Sequence, residues 1–328
     1  MIIKHADDKR PQLAALENLL RHPSADAATR KRIEQELRNI QAGIRGEEEA
    51  AYEMKVQFGD SANWMVIHDL RVEYGELVAQ IDHLIMNRFL EMWVCESKHF
   101  SEGVGINEHG EFAAFFGGKP YGVPSPIEQN NRHMLILRRL FASGAIALPK
   151  RLGFTIKPEL KGLVLVSKGA RISRPKAKID GIEALIKNDQ LFRTIEKSFD
   201  EGGSLILAKV VGSDTLEALA KQIAKLHKPI EFNWHAKFGL AEPPQTAAPV
   251  APVRPVAVQA VPPIQPTKAV PATCAAAPTV EPKAKQKLVC HSCSESISYN
   301  VAKFCWFNKP RFGGNLYCMD CQKKVVPA

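Results

Sequence analysis

Leu13, Leu16, Leu19 and Leu20 recur at helical spacing, and after His22-Pro23-Ser24 a second stripe follows in Ile33, Leu37, Ile40 and Ile44. This predicts two short helices in a hairpin over 11–45, a packed appendage in preference to a dimerisation arm. A further helix is expected over about 46–56. Apolar runs predict strands over 64–70, 80–86, 89–98, 162–167 and 205–211. Pro126 stands where a first-turn proline is tolerated and opens a helix reaching about 141. Helices are also expected over 182–199 and 215–226, the second capped by Ser213 or Asp214. Mixed helices and strands in this order predict an α/β or α+β body.

Composition changes that picture at one place. Eleven of the 22 prolines fall between Pro243 and Pro282, which excludes one continuous fold from end to end. Residues 241–286 are rich in Pro, Ala and Val and hold no aromatic residue, so they cannot bury a core and read as an extended linker. As a flexible coil such a segment spans on the order of 35–40 Å. The whole chain, 45% hydrophobic and 24% charged, suits an ordinary soluble protein. No apolar run reaches the length of about 18 residues that a membrane span needs. The first residues lack the apolar core and cleavage site of a secretory signal. The expectation is a cytoplasmic protein with no membrane and no secreted partner. A net charge of +9 suits a polyanion but does not demand one.

Residues 287–328 form a small module holding Cys290-His-Ser-Cys293 and Cys318-Met-Asp-Cys321, with 24 residues between the two knuckles. Each knuckle offers two thiolates, and together they complete a tetrahedral site; soft sulfur ligands and a reducing compartment favour Zn²⁺ there, with a redox pair as the alternative. A module of about 40 residues needs such a staple because its own core is too small. Cys305, between Phe304 and Trp306, reads as buried rather than as a ligand, and His291 as exposed. Cys274 in the linker and Cys95 in an apolar strand are not ligands on this reading. Aromatic Tyr299, Phe304, Trp306, Phe307, Phe312 and Tyr317, interleaved with Lys303, Lys309, Arg311, Lys323 and Lys324, suit nucleic-acid binding by stacking and phosphate contact. The rival reading makes the aromatics the module's own core, which is the better description for most of them. A protein partner is the other candidate for what the module binds.

The chemistry is expected in residues 43–141. Folding the strands around 80–86 and 89–98 about residues 88–89 brings Asp82 opposite residues 94–96, and alternation puts Glu96 and Lys98 on one face. Two carboxylates beside a lysine can hold Mg²⁺ or Mn²⁺ and orient an attacking water. The bland alternative is a surface salt-bridge cluster. Around this pair stand Gly43-Ile-Arg-Gly46-Glu47 upstream, Ile81-Asp82-His83-Leu84-Ile85, then Val94-Cys95-Glu96-Ser97-Lys98 with 13 residues between Asp82 and Glu96, and Pro126-Ile-Glu-Gln129 downstream.

In this order and spacing the segment resembles the nuclease-related domain (NERD) family, a branch of the restriction-endonuclease-like, PD-(D/E)xK, superfamily. The resemblance covers about 43–150. It implies a central mixed sheet flanked by helices, with Asp82 and Glu96 holding the divalent metal and the Ser97 carbonyl as an extra ligand. It implies Lys98 as the residue that positions or activates water, Glu47 as the outer acidic residue, and Gln129 reaching in from the helix after the sheet. Each has a rival: Glu47 as a residue favouring a helix N-terminus, with Glu48 and Glu49 as alternatives in register, and Gln129 as an exposed first-turn residue. His83 is expected to alternate away from Asp82 and to be packed or bonded to backbone. One departure is the loop Lys98-His-Phe-Ser-Glu-Gly103, longer than the family pattern, which leaves His99 unplaced.

The domain plan is therefore a helical hairpin at 1–42, a nuclease-like core at 43–150, an α/β continuation at 151–240, the linker at 241–286 and a zinc-ribbon-like module at 287–328. Lys168, Arg171, Arg174, Lys176 and Lys178 are a candidate phosphate-contact stretch or a solvated loop. The reading is a metal-dependent nuclease acting on DNA, with RNA as an alternative substrate. A nucleic-acid binder that does not cleave, or a zinc-module adaptor for a protein, are the other readings. The sequence carries no oligomeric state.

Overall fold

β1 (Ile2–Lys4) leads into α1 (Arg10–Leu20) and α2 (Ala27–Phe58) in a computed structural model. It describes residues 1–151, 153–201, 210–241, 288–297, 301–302, 304–305 and 309–325. The chain divides into two compact units, Met1–Leu240 and Ala241–Ala328. Asp26 caps α2 by accepting the Thr29 N–H at 2.7 Å. The predicted break near residue 45 is absent: one helix of 32 residues runs through it, so the expected 42/43 boundary falls inside α2. A glycine costs a helix interior only about 1 kcal/mol, and Gly46 has a packing reason. A Cβ there would stand 3.3 Å from the His99 Cβ, so glycine lets α2 lie close against the chain at His99. Leu16, Leu19, Ile33 and Leu37 of the hairpin pack with Trp234, Phe238 and Leu240, which makes the hairpin a packed appendage.

The central strands follow as β2 (Trp64–Tyr74), β3 (Leu77–Asn87) and β4 (Glu91–Lys98). β2 outruns its predicted end at 70 and turns tightly into β3 at Gly75, whose φ of +59° is the left-handed region glycine favours. Between β3 and β4, Asn87 Oδ1 accepts the N–H groups of Phe89 and Glu91 at 3.0 and 3.1 Å. The chain continues with β5 (Val104–Ile106), β6 (Phe112–Phe116), β7 (Lys119–Val123) and α3 (Pro126–Ala142). Beyond α3 lie β8 (Lys150–Arg151), β9 (Phe154–Thr155), β10 (Glu159–Val166), β11 (Ile172–Ser173) and β12 (Leu185–Lys187). Unit 1 closes with α4 (Leu191–Glu201), α5 (Ser213–Ala224) and α6 (Trp234–Phe238).

The main sheet has the order β1-β2-β3-β4-β10-β12. The β2–β3 and β3–β4 pairs are antiparallel, while β1–β2, β4–β10 and β10–β12 are parallel, so the sheet is mixed. On one face, Leu137 and Leu140 of α3 and Leu216, Leu219 and Ile223 of α5 join Met92 and Val94 in one core. α2 covers the other face, where the Phe58 ring meets Trp64 at 4.7 Å and Trp64 meets Trp93 at 5.6 Å. The fold class is thus mixed α/β, a central mixed sheet flanked by helices. Asn130 ties α3 down by donating to the Val94 and Leu163 carbonyls at 2.7 and 3.0 Å. Gly162 allows that approach, since a Cβ would meet Met134 Cε at 3.0 Å.

Two other expectations change. The helix predicted over 182–199 starts only at Leu191. Before it Leu185 and Ile186 are both buried and form β12 beside Val164 and Leu165, because a sheet edge offers them more cover than one helix face does. The cap of α5 is Gly212, and Ser213 is the first helical residue. Most of the strand predicted over 205–211, and the linker, lie outside the described residues. A smaller sheet, β11-β5-β6-β7, stands beside the main one.

Candidate active site

The site grows from the β3–β4 hairpin. His83 pairs with Cys95 and Leu84 with Val94, so one step further Asp82 stands beside Glu96, as folding about residues 88–89 predicts. Asp82 Oδ2 accepts the Ser97 N–H at 2.7 Å. On the other side, His68 pairs with His83 and Leu70 with Ile81, with Asp69 and Asp82 between them. Asp69 has φ +51°, unusual for a residue with a side chain. The alternation slips there: Met65 and Ile67 face the α3–α5 core and then Leu70 and Val72 do; in β3, Ala79 and Ile81 and then Leu84 and Met86. The slip falls at His68–Asp69 in β2 and at Asp82–His83 in β3.

Glu96 and Lys98 share parity with Met92 and Val94, the α3 side, and α3 reaches them. Lys98 Nζ stands 2.6 Å from Glu96 Oε1 and donates to Gln129 Oε1 at 3.1 Å, while Gln129 Nε2 donates to Glu96 Oε1 at 2.8 Å. Ser125 caps α3 and Pro126 opens it, which fixes Gln129 on the first turn. Gln129 is therefore not merely an exposed first-turn residue. His133, one turn on, brings Nδ1 to 3.6 Å from Glu96 Oε2.

Glu47 sits deep inside α2, so the helix-terminus reading of it fails. Its Oε2 accepts from Lys9 Nζ at 2.6 Å. Of its neighbours, Glu48 is exposed and Glu49 accepts from Asn188 Nδ2 at 3.2 Å, so of the three only Glu47 bonds Lys9.

Burial pushes the Asp82 carboxyl well above the usual carboxylate range, and the charges of Glu96 and Glu47 push it further, against the Ser97 N–H and Lys98. Burial also raises Glu96, with Lys98 opposing it and Glu47 adding to it. Glu47 is raised by burial against Lys9, with Asp69 adding to it. The three carboxylates thus repel one another across a partly buried site. Glu96 Oε2, 3% exposed as a side chain, has no hydrogen-bond partner among the described residues. Hard oxygen donors, mutual repulsion and an unpaired buried oxygen all fit a divalent cation such as Mg²⁺ or Mn²⁺.

Four residues here were not foreseen: Lys9, Asp69, His68 and His133. His68 Nδ1 lies 2.7 Å from His83 Nδ1, so one ring presents N–H and the other a lone pair. His83 Nε2 meets Ser97 Oγ at 3.0 Å, so His83 is packed and bonds side chains, not backbone. Burial holds His68 and His133 down to about 4, leaving them neutral at pH 7. His99, unplaced in the sequence, meets Ser167 Oγ at 3.2 Å. Asp69 was legible in principle: Gly75 between two apolar runs marks a tight hairpin, and its register puts Asp69 opposite Asp82. Nothing local marks Lys9, which reaches the site from 38 residues upstream of Glu47.

In unit 2, Cys290, Cys293, Cys318 and Cys321 bring their sulfurs within 4.8 Å of one another. Zn–S bonds of about 2.3 Å put tetrahedral sulfurs about 3.8 Å apart, and Cys293 to Cys318 is 3.6 Å. The cluster can hold a zinc ion. Burial would raise the Cys290 thiol, but backbone N–H groups of Cys318, Cys293 and Ser292 bring it down to about 6. Cys305 is buried apart from the four, its sulfur accepting the Tyr317 N–H at 3.3 Å. His291 is exposed, edge-on to Tyr317. Phe312 is buried and Phe304 exposed; Tyr299, Lys303, Trp306 and Phe307 lie outside the described residues.

In the basic run, Arg174 Nη2 bonds the Leu185 carbonyl and Lys168 Nζ stands 3.7 Å from Glu53, so part of the stretch is spent on the fold. No helix among the described residues is long and apolar enough to cross a membrane.

Residues 42–165 match the family model of the nuclease-related domain. No curated protein and no solved structure matches the chain. The match covers α2 from Ala42 onward, β2 to β9 and nearly all of β10, and with them Glu47, Asp69, Asp82, Glu96, Lys98 and Gln129. It is consistent with the PD-(D/E)xK superfamily.

Proposed function

We propose that the nuclease-related domain carried by this chain hydrolyses phosphodiester bonds of DNA and depends on a divalent cation, Mg²⁺ or Mn²⁺. The observation that carries this is the hydrogen-bonded triangle of Glu96, Lys98 and Gln129 standing beside the desolvated carboxylates Asp82 and Glu47. Asp82 and Glu96 would hold the cation, with the Ser97 carbonyl as a further ligand. When bound, the cation would polarise the phosphodiester and lower the pKa of a coordinated water.

Lys98 spends two of its three N–H donors on Glu96 and Gln129 and keeps the third for a water or a phosphate oxygen. Its charge then faces the negative charge that develops on the phosphorane. Gln129 fixes the lysine and the glutamate together, so neither has to reorganise during the reaction. The Ser97 N–H holds Asp82 in one orientation, and His83 holds the Ser97 hydroxyl. Glu47 supplies a further acidic group at the edge.

The second unit would bind zinc at its four cysteines and help hold nucleic acid. Exposed Phe304 and Arg311 offer stacking and phosphate contact there. Two modest affinities joined by a linker reinforce each other through effective concentration. The reading places the protein in the cytoplasm, where thiols stay reduced for the metal.

The test is Mg²⁺-dependent cleavage of DNA by the purified chain, compared with folded Asp82→Ala and Lys98→Ala variants. Cleavage by wild type and its loss in both variants supports the reading. Equal cleavage by all three assigns the activity to a contaminant and overturns it. Salt-dependent DNA binding without cleavage would leave a binding protein on a nuclease fold.

A further inference from the structure

Lys9 lies outside the matched domain, which begins at residue 42, yet its ammonium reaches the domain's buried carboxylates. The side chains of Lys9 and Glu47 are 20% and 21% exposed, so this is no loose surface pair. The segment that carries Lys9 is tied to the sheet as a strap. β1 pairs with β2, and Lys4 Nζ bonds Asp7 Oδ1 at 2.8 Å and the Asp69 carbonyl at 3.0 Å. The Asp7 N–H donates to Asp69 Oδ2 at 3.3 Å, and His227 Nε2 holds Asp7 Oδ2 at 2.8 Å from behind. Asp7, Lys9, Glu47 and Asp69 line one cavity of about 280 Å³. Burial would lower the Lys9 ammonium, but Glu47 together with Asp69 and Asp82 raises it, so it stays charged.

The charges can then be counted. Glu47, Asp69, Asp82 and Glu96 are four carboxylates; Lys9 and Lys98 are two ammonium groups. With all of them ionised, two negative charges remain, which one divalent cation balances. Glu96 Oε2, buried and without a hydrogen-bond partner among the described residues, offers that cation a ligand oxygen. Glu47, which lines the same cavity as Asp69, has Oε2 committed to Lys9. We propose that Lys9 fills the place of a second divalent cation, so that the N-terminal strap completes the site and restricts it to one metal ion. A fixed ammonium there also excludes an ion that would have to be bound and dehydrated in each cycle. The inference rests on the reading of Asp82 and Glu96 as metal-holding residues.

The test is a titration of the full, zinc-loaded chain with Mn²⁺ alone, followed by calorimetry and by the paramagnetic signal of free Mn²⁺. Zinc keeps the cysteine cluster closed to Mn²⁺. Wild type is expected to bind one Mn²⁺, Lys9→Gln two, and Lys9→Arg, which keeps the charge, one. Thermal midpoints of the variants check that each is folded. Two ions in wild type overturn the proposal, whether or not the variants fold. One ion in both wild type and folded Lys9→Gln overturns it while leaving the metal-holding reading intact. No Mn²⁺ bound by wild type removes both.

Discussion

In the cysteine unit four sulfurs come within 4.8 Å of one another. Among the described residues the carboxylates form no group that tight; lysines stand against Glu96 and Glu47 instead. The difference follows from what each unit has to bury. Unit 1 closes a sheet between α2 on one face and α3 and α5 on the other, so its fold does not need an ion and its acidic residues can remain strained and open. Unit 2 has a small core around Cys290, Ile297, Ala302 and Cys318, two of whose members belong to the cluster that can hold a zinc ion. A metal that makes a fold calls for a closed cage of soft ligands, whereas a metal that makes a reaction calls for a charged, incomplete one.

The largest way to break this contrast is to remove the zinc. Chelation, or Cys318→Ala, should unfold unit 2 outright, since the metal supplies on the order of 10–16 kcal/mol to such modules. Amide dispersion of unit 1 should remain. If unit 2 keeps its dispersion without metal, the cluster is not its staple. Next comes Lys98→Ala, which should lower turnover about 10²–10⁴-fold while moving the thermal midpoint little. A fall of less than a few fold would make Lys98 a surface partner of Glu96.

Smaller still is Ser97→Ala, which leaves the buried His83 Nε2 without its partner. It should cost about 1–3 kcal/mol in denaturant unfolding. No measurable cost would mean that the histidine pair does not anchor the site. The smallest effect expected is a gain. Without metal, Asp82→Asn should raise the melting temperature at neutral pH, by about 2–4 °C for each kcal/mol of repulsion removed. The sign follows from the raised carboxyl: the folded state prefers the protonated form, so ionisation costs stability as pH rises through the folded pKa. The advantage of asparagine should therefore fade as pH falls toward about 4, where the unfolded carboxyl also takes up its proton. An advantage independent of pH would point to packing instead.

What the sequence revealed of each region follows the same divide. The cysteine spacing alone located the cluster, because ligand pairs with two residues between them need almost no knowledge of the fold. The β3–β4 hairpin was equally local, and its centre brought Asp82 beside Glu96 without further help. Lys9 and His133 were not legible, since their roles depend on which helix or strap lies over which strand end. Gly43 and Gly46 read as a helix start, because only the fold shows His99 lying against Gly46 in mid-helix. β12 read as helix because Leu185 and Ile186 are apolar on both faces, which a parallel edge strand and a buried helix share.

The most direct measurement is anomalous scattering from crystals of the full chain soaked in Mn²⁺, recorded at the manganese and zinc edges. The account predicts manganese between Asp82 and Glu96 and zinc among the four cysteines, with neither metal at the other's site. No manganese at Asp82 and Glu96, at a Mn²⁺ concentration that supports cleavage, would contradict it.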